Sequence, residues 1–221
     1  MDQSRLVAIV PALNEGGTVE HVVNAVLEYA DVIVVDDGSS DDTYGKAKHA
    51  GAVVCRHTIN CGYDRALNTG FMKALDLGYA RCITLDADGQ HDPSIIGRFA
   101  AELDGGATVV TGRRPRKQRF SEKIFSMWST PVLGVHDPLC GMKAYDMDFV
   151  GVVGHFDSYQ SIGTELLITA AATGQKIVEL SVPVRPRADA PRFASAMRAN
   201  WRISRALVLG IWRYLRLRRN R

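Results

Sequence analysis

Residues 81–93 read RCITLDADGQHDP. Ile83, Thr84 and Leu85 continue a strand-like run, and the run ends in three acids within seven positions, Asp86, Asp88 and Asp92. Carboxylates repel one another, and a loop built only to turn the chain seldom gathers so many. Two apart on an extended segment, Asp88 and Gln90 point oxygens the same way. Hard oxygen ligands suit Mg²⁺ or Mn²⁺, which keep positions open for the oxygens of a diphosphate. Just beyond, Asp92 with Pro93 reads as an N-cap followed by proline at the first helical position.

The same strand-then-helix alternation extends outward from this stretch. RLVAIVPA, DVIVVDDGSS, AVVCR, RCITLD and ATVVTG are short apolar runs, and helical periodicity or a short helix closed by Gly51 lies between them. Five alternations with continuous apolar strands predict a doubly wound α/β sheet with a mainly parallel core. After residue 112 the pattern weakens. SEKIFSMWSTPVLG predicts a helix up to Pro131, GTELLITAAATG a helix closed by Gly174, and QKIVELSVPVRPR a strand; a last helix runs from about Phe193 to Arg218.

The chain has 221 residues, 46% of them hydrophobic, which fits one globular domain or one with an appendage. No run of about 18 apolar residues predicts a membrane span, and MDQSRLVAIVPALNE lacks the features of a signal peptide. Cys55, Cys61, Cys82 and Cys140 form neither a C-x-x-C pair nor a disulfide framework and read as cytosolic thiols. From Arg192 onward there are nine arginines and no acid, leaving 18 basic against 24 acidic groups before it. Such segregation predicts a tail that meets an anionic surface, membrane or nucleic acid.

In open parallel sheets ligands bind beyond the carboxyl ends of the strands. PALNE, DDGSSDD and DADGQ all fall at such ends. Any one of them could be a solvated turn; three on one edge point to a site. No G-x-G-x-x-G opens the first helix and no G-x-x-x-x-G-K-[ST] is present, so neither a dinucleotide fold nor a P-loop is expected.

Taken in order, VAIVPALNE, VIVVDDGSSDDT, NCGYDRALNTG, LDADGQHDP, DPLCGMKAYD and VPVRPR resemble the family-2 glycosyltransferases of GT-A fold, in particular the branch of dolichyl-phosphate mannosyltransferases and polyprenyl-phosphate glycosyltransferases. The resemblance covers about residues 5 to 192, giving a GT-A catalytic domain over 1–192 and a basic amphipathic helix over 193–221. It implies that Pro11, Leu13 and Glu15 line a nucleoside pocket, that Asp37 hydrogen-bonds the nucleoside, and that Asp86, Ala87 and Asp88 lie along the sugar nucleotide. Val35 and Arg192 belong to the same nucleotide-sugar set, and Arg187 contacts the diphosphate. Asp88 and Gln90, with Asp86 nearby, hold Mg²⁺ or Mn²⁺. The chain departs from the family at Asp64-Arg65, where small residues are usual, and at Pro191-Arg192, where a Ser-Lys is usual.

GRRPRKQR gathers five basic residues, a solvated basic loop or an anion site. The resemblance implies that Arg113 and a second arginine, Arg119 or Arg116, contact a lipid phosphate. A phosphate acceptor needs no general base, so Asp88, Arg113 and Arg119 would carry catalysis by electrostatics. A hydroxyl acceptor would need a carboxylate, with Glu165 and Asp137 as candidates; their ordinary readings are a helix-start acid and a turn before proline. On the last helix, Arg198, Arg202, Arg205, Arg213, Arg216 and Arg219 share one stripe, Ile203, Leu207, Ile211, Tyr214, Leu215 and Leu217 take the other side, and Trp201 and Trp212 lie near the boundary. That pattern predicts an interfacial helix on anionic lipid, the alternative being a helix packed on its own domain.

The expectation is an inverting, metal-dependent glycosyltransferase, peripheral at the cytoplasmic membrane face. It moves a sugar from a GDP- or UDP-linked donor to a polyprenyl or dolichyl phosphate, with no nucleic acid as partner. The rivals are the same fold acting on a carbohydrate hydroxyl, and a non-catalytic nucleotide-sensing or nucleic-acid-binding protein.

Overall fold

The computed structural model describes residues 5–115, 119–183 and 196–219. β1 (Leu6–Ala12), α1 (Val19–Leu27), β2 (Asp31–Asp36), α2 (Thr43–His49), β3 (Val53–Arg56), α3 (Tyr63–Asp76) and β4 (Arg81–Thr84) alternate as the apolar runs require. A 3₁₀ turn, Pro93–Ile95, follows the acidic loop and leads into α4 (Ile96–Asp104). Asp92 caps that turn, its Oδ1 accepting the Ser94 N–H at 3.1 Å. β5 (Val109–Arg113), α5 (Phe120–Leu133), β6 (Lys143–Asp146), α6 (Met147–Val153), α7 (Glu165–Ala172), β7 (Ile177–Ser181) and α8 (Ala196–Arg219) complete the described chain.

The seven strands lie in the order β3-β2-β1-β4-β6-β5-β7. β1 pairs in parallel with both β2 and β4, β2 with β3, and β5 with β7, while β6 runs antiparallel between β4 and β5. The chain winds one way from β1 to β3 and the other way from β4, so a crevice opens at the carboxyl ends of β1 and β4. Helices cover both faces, which is why the inner strands are apolar throughout. Ala8, Val10, Val34, Ile83 and Phe99 belong to one core layer; Ile9, Ile33, Phe71, Phe125 and Tyr145 belong to the other.

Three elements differ from the sequence expectation. β6 and α6 were not expected, because Lys143-Ala-Tyr-Asp carries two charged residues in a four-residue strand. The antiparallel strand returns its loop, residues 137–142, to the same edge as the acidic loop after β4. Helix α5 runs through Pro131 to Leu133 and closes on Gly134, whose φ is 71°. Proline removes one hydrogen bond to the carbonyl four residues back; here that residue is Met127, on the exposed side of the helix, where water can serve the carbonyl.

Helix α8 docks on the domain. Ala199, Ile203, Ala206 and Leu207 are buried, Ile211 and Tyr214 pack against the same core layer, and the helix contacts α5 and α7. Arg213 Nη1 reaches Glu165 Oε1 at 2.9 Å, Arg205 Nη1 donates to the Tyr159 carbonyl at 2.8 Å, and Arg202 Nη2 lies 3.8 Å from Asp64 Oδ2. The arginine stripe is therefore split, and much of the apolar side assigned to lipid is used inside the protein. The helix start expected at about Phe193 and the boundary expected at 192/193 lie outside the described residues. No helix among the described residues is long and apolar enough to cross a membrane.

Candidate active site

The loops after β1 and β2 are laced together at the crevice. Asn14, with φ 53°, donates its N–H to Ser39 Oγ at 2.8 Å, and its Oδ1 accepts the Ser40 N–H at 2.8 Å. The Glu15 N–H reaches Thr43 Oγ1 at 2.8 Å and the Gly16 N–H reaches Asp41 Oδ2 at 2.9 Å. Gly38, at φ 77°, presses its turn on the next loop: a Cβ there would stand 2.6 Å from the Ile59 carbonyl carbon, so no other residue fits without moving backbone. Pro11 and Leu13 are half-buried at this edge and Glu15 is buried.

Asp37 anchors the start of α3. Its carboxylate accepts the N–H groups of Cys61 at 2.9 Å and Gly62 at 2.8 Å, and lies 2.7 Å from His57 Nδ1. His57 Nε2 is in turn 2.9 Å from Thr69 Oγ1. The ligand atoms of Asp37, His57 and Cys61 lie within 4.8 Å of one another, the single such group of His, Cys, Asp and Glu among the described residues. Val35, placed in the nucleotide-sugar set on the resemblance, is fully buried in the core layer beneath α3.

Past β4, Ala87 packs into the core while Asp86 and Asp88 remain half-buried. Asp88 Oδ1 accepts the Gln90 N–H at 3.1 Å, which folds the loop back on itself. Asp86 rests against Gly141, where any Cβ would come within 2.7 Å of Asp86 Oδ2. Burial, then the Asp88 charge, raise the Asp86 carboxyl above its ordinary value, against the pull of His91, Lys143 and Arg114. His91 is buried and its Nδ1 has no hydrogen-bond partner. A strained pair of carboxylates beside an orphaned imidazole nitrogen and the Gln90 amide is a donor set that fits a hard divalent cation. Asp86, Asp88 and His91 do not converge into a ready cage, as suits an ion that takes one or two protein carboxylates and leaves the rest to substrate phosphates.

The loop before β6 and the end of β5 complete the crevice. Arg114 grips Asp137 through Nε at 2.8 Å, Nη2 at 2.9 Å and its backbone N–H at 3.1 Å, and touches Glu122 at 3.3 Å. Against its own burial, Asp137 is thereby held below the usual carboxylate range. Lys143 is buried, which lowers its ammonium to about 8, and donates to the Cys140 carbonyl at 2.7 Å. Arg113 is exposed at the tip of β5, and its guanidinium has no ion-pair partner among the described residues. Arg119 caps α5 half-buried, 3.4 Å from Glu122 Oε1. Arg116, Arg187 and Arg192 lie outside the described residues.

Both carboxylates named for a hydroxyl acceptor are engaged in ion pairs. Asp137 is clamped by Arg114. Glu165 is fully buried and joins Arg213 at 2.9 Å, His155 Nε2 at 2.9 Å and the Ser158 hydroxyl at 2.8 Å. Residues the sequence did not single out also face this region. Tyr63 has its phenol raised by burial and by the charges of Asp86 and Asp64, and Gly141 makes room for Asp86. The signal for Gly141 and Lys143 was present in DPLCGMKAYD, but only as a likeness.

The chain matches a known family model, Glycosyl transferase family 2, over residues 7–159, which include the first two turns, the acidic loop and β6. The chain belongs to glycosyl transferase family 2. An uncharacterized glycosyltransferase of Mycobacterium tuberculosis is 31% identical over 218 residues, covering 94% of this chain and 96% of that protein. A dolichyl-phosphate hexose transferase of Haloferax volcanii is 28% identical over 72% of each chain. Among solved structures, glucosyl-3-phosphoglycerate synthase of M. tuberculosis, in complex with Mn²⁺, UDP and glucosyl-3-phosphoglycerate, superposes with a TM-score of 0.75 at 20% identity, over 95% of this chain and 79% of that one. The fold is GT-A, and the protein is a glycosyltransferase.

Proposed function

We propose that this glycosyltransferase moves a sugar from a nucleoside-diphosphate donor to a polyprenyl phosphate at a membrane surface, with Mg²⁺ or Mn²⁺ as cofactor. Asp88 and Gln90, with Asp86 beside them, would hold the cation. When bound, the ion supplies charge stabilisation to the leaving diphosphate. Pro11, Leu13, Glu15 and Asp37 border the nucleoside side of the crevice, and Arg187 and Arg192 are assigned to the diphosphate on the resemblance alone.

The observation that carries the acceptor assignment is Arg113. Among the described residues its guanidinium has no ion-pair partner, and it stands exposed at the carboxyl end of β5, on the crevice edge. Arg119, tied to Glu122, is the weaker candidate of the pair. A phosphate monoester is nucleophilic without a general base, which agrees with Asp137 and Glu165 being spent in ion pairs. The membrane assignment draws on the outward side of α8. Met197, Trp201, Val208, Trp212 and Leu215 are exposed and fall within an arc of about 60° at 100° per residue. Arg198, Arg216 and Arg218 are exposed beside that arc, the pattern of a helix that rests on anionic lipid. The relative named as a dolichyl-phosphate hexose transferase supports the same reading. With Arg205 bound to the Tyr159 carbonyl and Arg213 to Glu165, a nucleic-acid role for the helix loses part of its charge.

The test is Arg113→Ala with a polyprenyl phosphate acceptor. The variant raises KM for the lipid by about tenfold or more and leaves donor affinity unchanged. Unaltered lipid kinetics would remove the acceptor assignment.

A further inference from the structure

A polar cleft of about 490 Å³ opens beside the crevice, between the start of α3, the 157–163 loop and α8. Its lining includes Tyr63, Asp64, Arg65, Asp157, Gln160 and Arg202. Asp64 is its buried floor. One oxygen accepts the Gly163 N–H at 3.1 Å; the other faces Arg202 at 3.8 Å, too far for a tight ion pair. Asp157 is spent differently, its two oxygens accepting the N–H groups of Ser161 at 2.7 Å and Gln160 at 2.8 Å. That cap holds the loop with Gln160 at φ 58° and Ile162 at φ 56°. A β-branched residue there is strained, and such strain persists where surrounding structure holds it in place.

We propose that this cleft receives a neutral, polyhydroxylated sugar ring and that Asp64 selects it by accepting hydrogen bonds from its hydroxyls. The lining argues for that chemistry. Two carboxylates disfavour a bare anion and two guanidinia disfavour a bare cation, whereas hydroxyls both donate to Asp64 and accept from Arg65 and Arg202. The volume lies within the range of small-ligand sites. Tyr63, which lines the cleft, lies near enough to the acidic loop that the charges of Asp86 and Asp64 both raise its phenol. On the far side, a Cβ on Gly163 would lie 3.8 Å from Lys143 Nζ, and Lys143 interacts with Asp86. Where Asp64 and Arg65 stand, small residues would leave a wider and uncharged space, so these two side chains give this protein its own preference.

The inference rests on the nucleotide-donor reading but not on the lipid acceptor. The ring could belong to the donor or to a carbohydrate acceptor, and the experiment separates them. Calorimetric titrations of UDP, UDP-glucose, GDP and GDP-mannose are made with Mn²⁺ and no lipid, on the wild type and on Asp64→Asn, which keeps an oxygen for the Gly163 N–H. The expected result is that Asp64→Asn weakens the preferred sugar nucleotide about tenfold and its matching nucleoside diphosphate less than twofold. If the ring is the acceptor's, all four titrations match the wild type and KM for methyl glycoside acceptors rises instead. Arg65→Ala, on the exposed rim, shows the same pattern with a smaller effect and serves if Asp64→Asn does not fold. Unchanged affinities together with unchanged glycoside kinetics in both variants overturn the proposal, as does a wild type that binds none of the four nucleotides.

Discussion

Asp64 shows how much a single side chain can carry that the linear pattern hides. Burial and the neighbouring Asp157 charge raise its carboxyl from 3.8 to about 6, while the Gly163 N–H and Arg202 pull it only partly back. A folded value above the unfolded one means that the native state holds the proton more tightly. The contribution to stability is therefore complete below about pH 4 and is lost as pH rises through 6. That rise corresponds to about 3 kcal/mol. Chemical denaturation of Asp64→Asn at pH 7.5 is expected to give a larger unfolding free energy than the wild type, by up to that amount, and the difference should vanish at pH 4. A variant less stable than wild type at pH 7.5 would mean that the ionised carboxylate is a structural tie. Protein that keeps a costly ionised acid in a cleft does so for binding or chemistry more often than for fold. None of this was legible in YDRAL: the partners of Asp64 lie in the 157–163 loop and on α8, far off in sequence. Asp137 and Glu165 were ambiguous for the same reason. Only the fold brings Arg114 and Arg213 to them.

At the scale of elements, what the sequence disclosed follows how strongly each segment is buried. β1, β2 and the strand before the acidic loop are continuous apolar runs, because helices cover both faces, and their positions and the parallel sheet were readable. β6 was not, since it has four residues and two of them charged, yet its return is what sets Gly141 against Asp86. Helix α8 shows a subtler limit. Periodicity identifies the faces of a helix but not which face docks. Ile203, Leu207, Ile211 and Tyr214 face the domain, and a second apolar arc, Met197 to Leu215, faces outward with Trp201 and Trp212 exposed. The Arg216 guanidinium lies 5.3 Å from the Trp212 ring centre. Replacing both tryptophans with glutamate should abolish most co-sedimentation with vesicles containing anionic lipid, with no change in melting temperature, because neither ring is buried. Retained sedimentation by the double variant would assign the outward arc to something other than a bilayer.

For the whole molecule, the three turns at the carboxyl edge, the β6 return and the α3 start converge on one crevice at the point where the sheet changes winding direction. The family and the GT-A fold were readable from ordered motifs, and the acidic loop of the candidate site from its clustered carboxylates. Its lateral walls were not, because they are built by Arg114, Lys143 and Tyr63, whose roles depend on tertiary neighbours. On the proposed function, Asp88 helps hold a divalent cation for transfer from a nucleotide sugar. The most direct test incubates wild type and Asp88→Ala with a panel of UDP- and GDP-sugars, polyprenyl phosphate and Mn²⁺ or Mg²⁺, and reads the lipid product by mass spectrometry with and without EDTA. The wild type is expected to give a glycosylated lipid phosphate that EDTA eliminates, and the folded variant to lose at least about 10²-fold. Transfer that is indifferent to EDTA and equal in both proteins would contradict it.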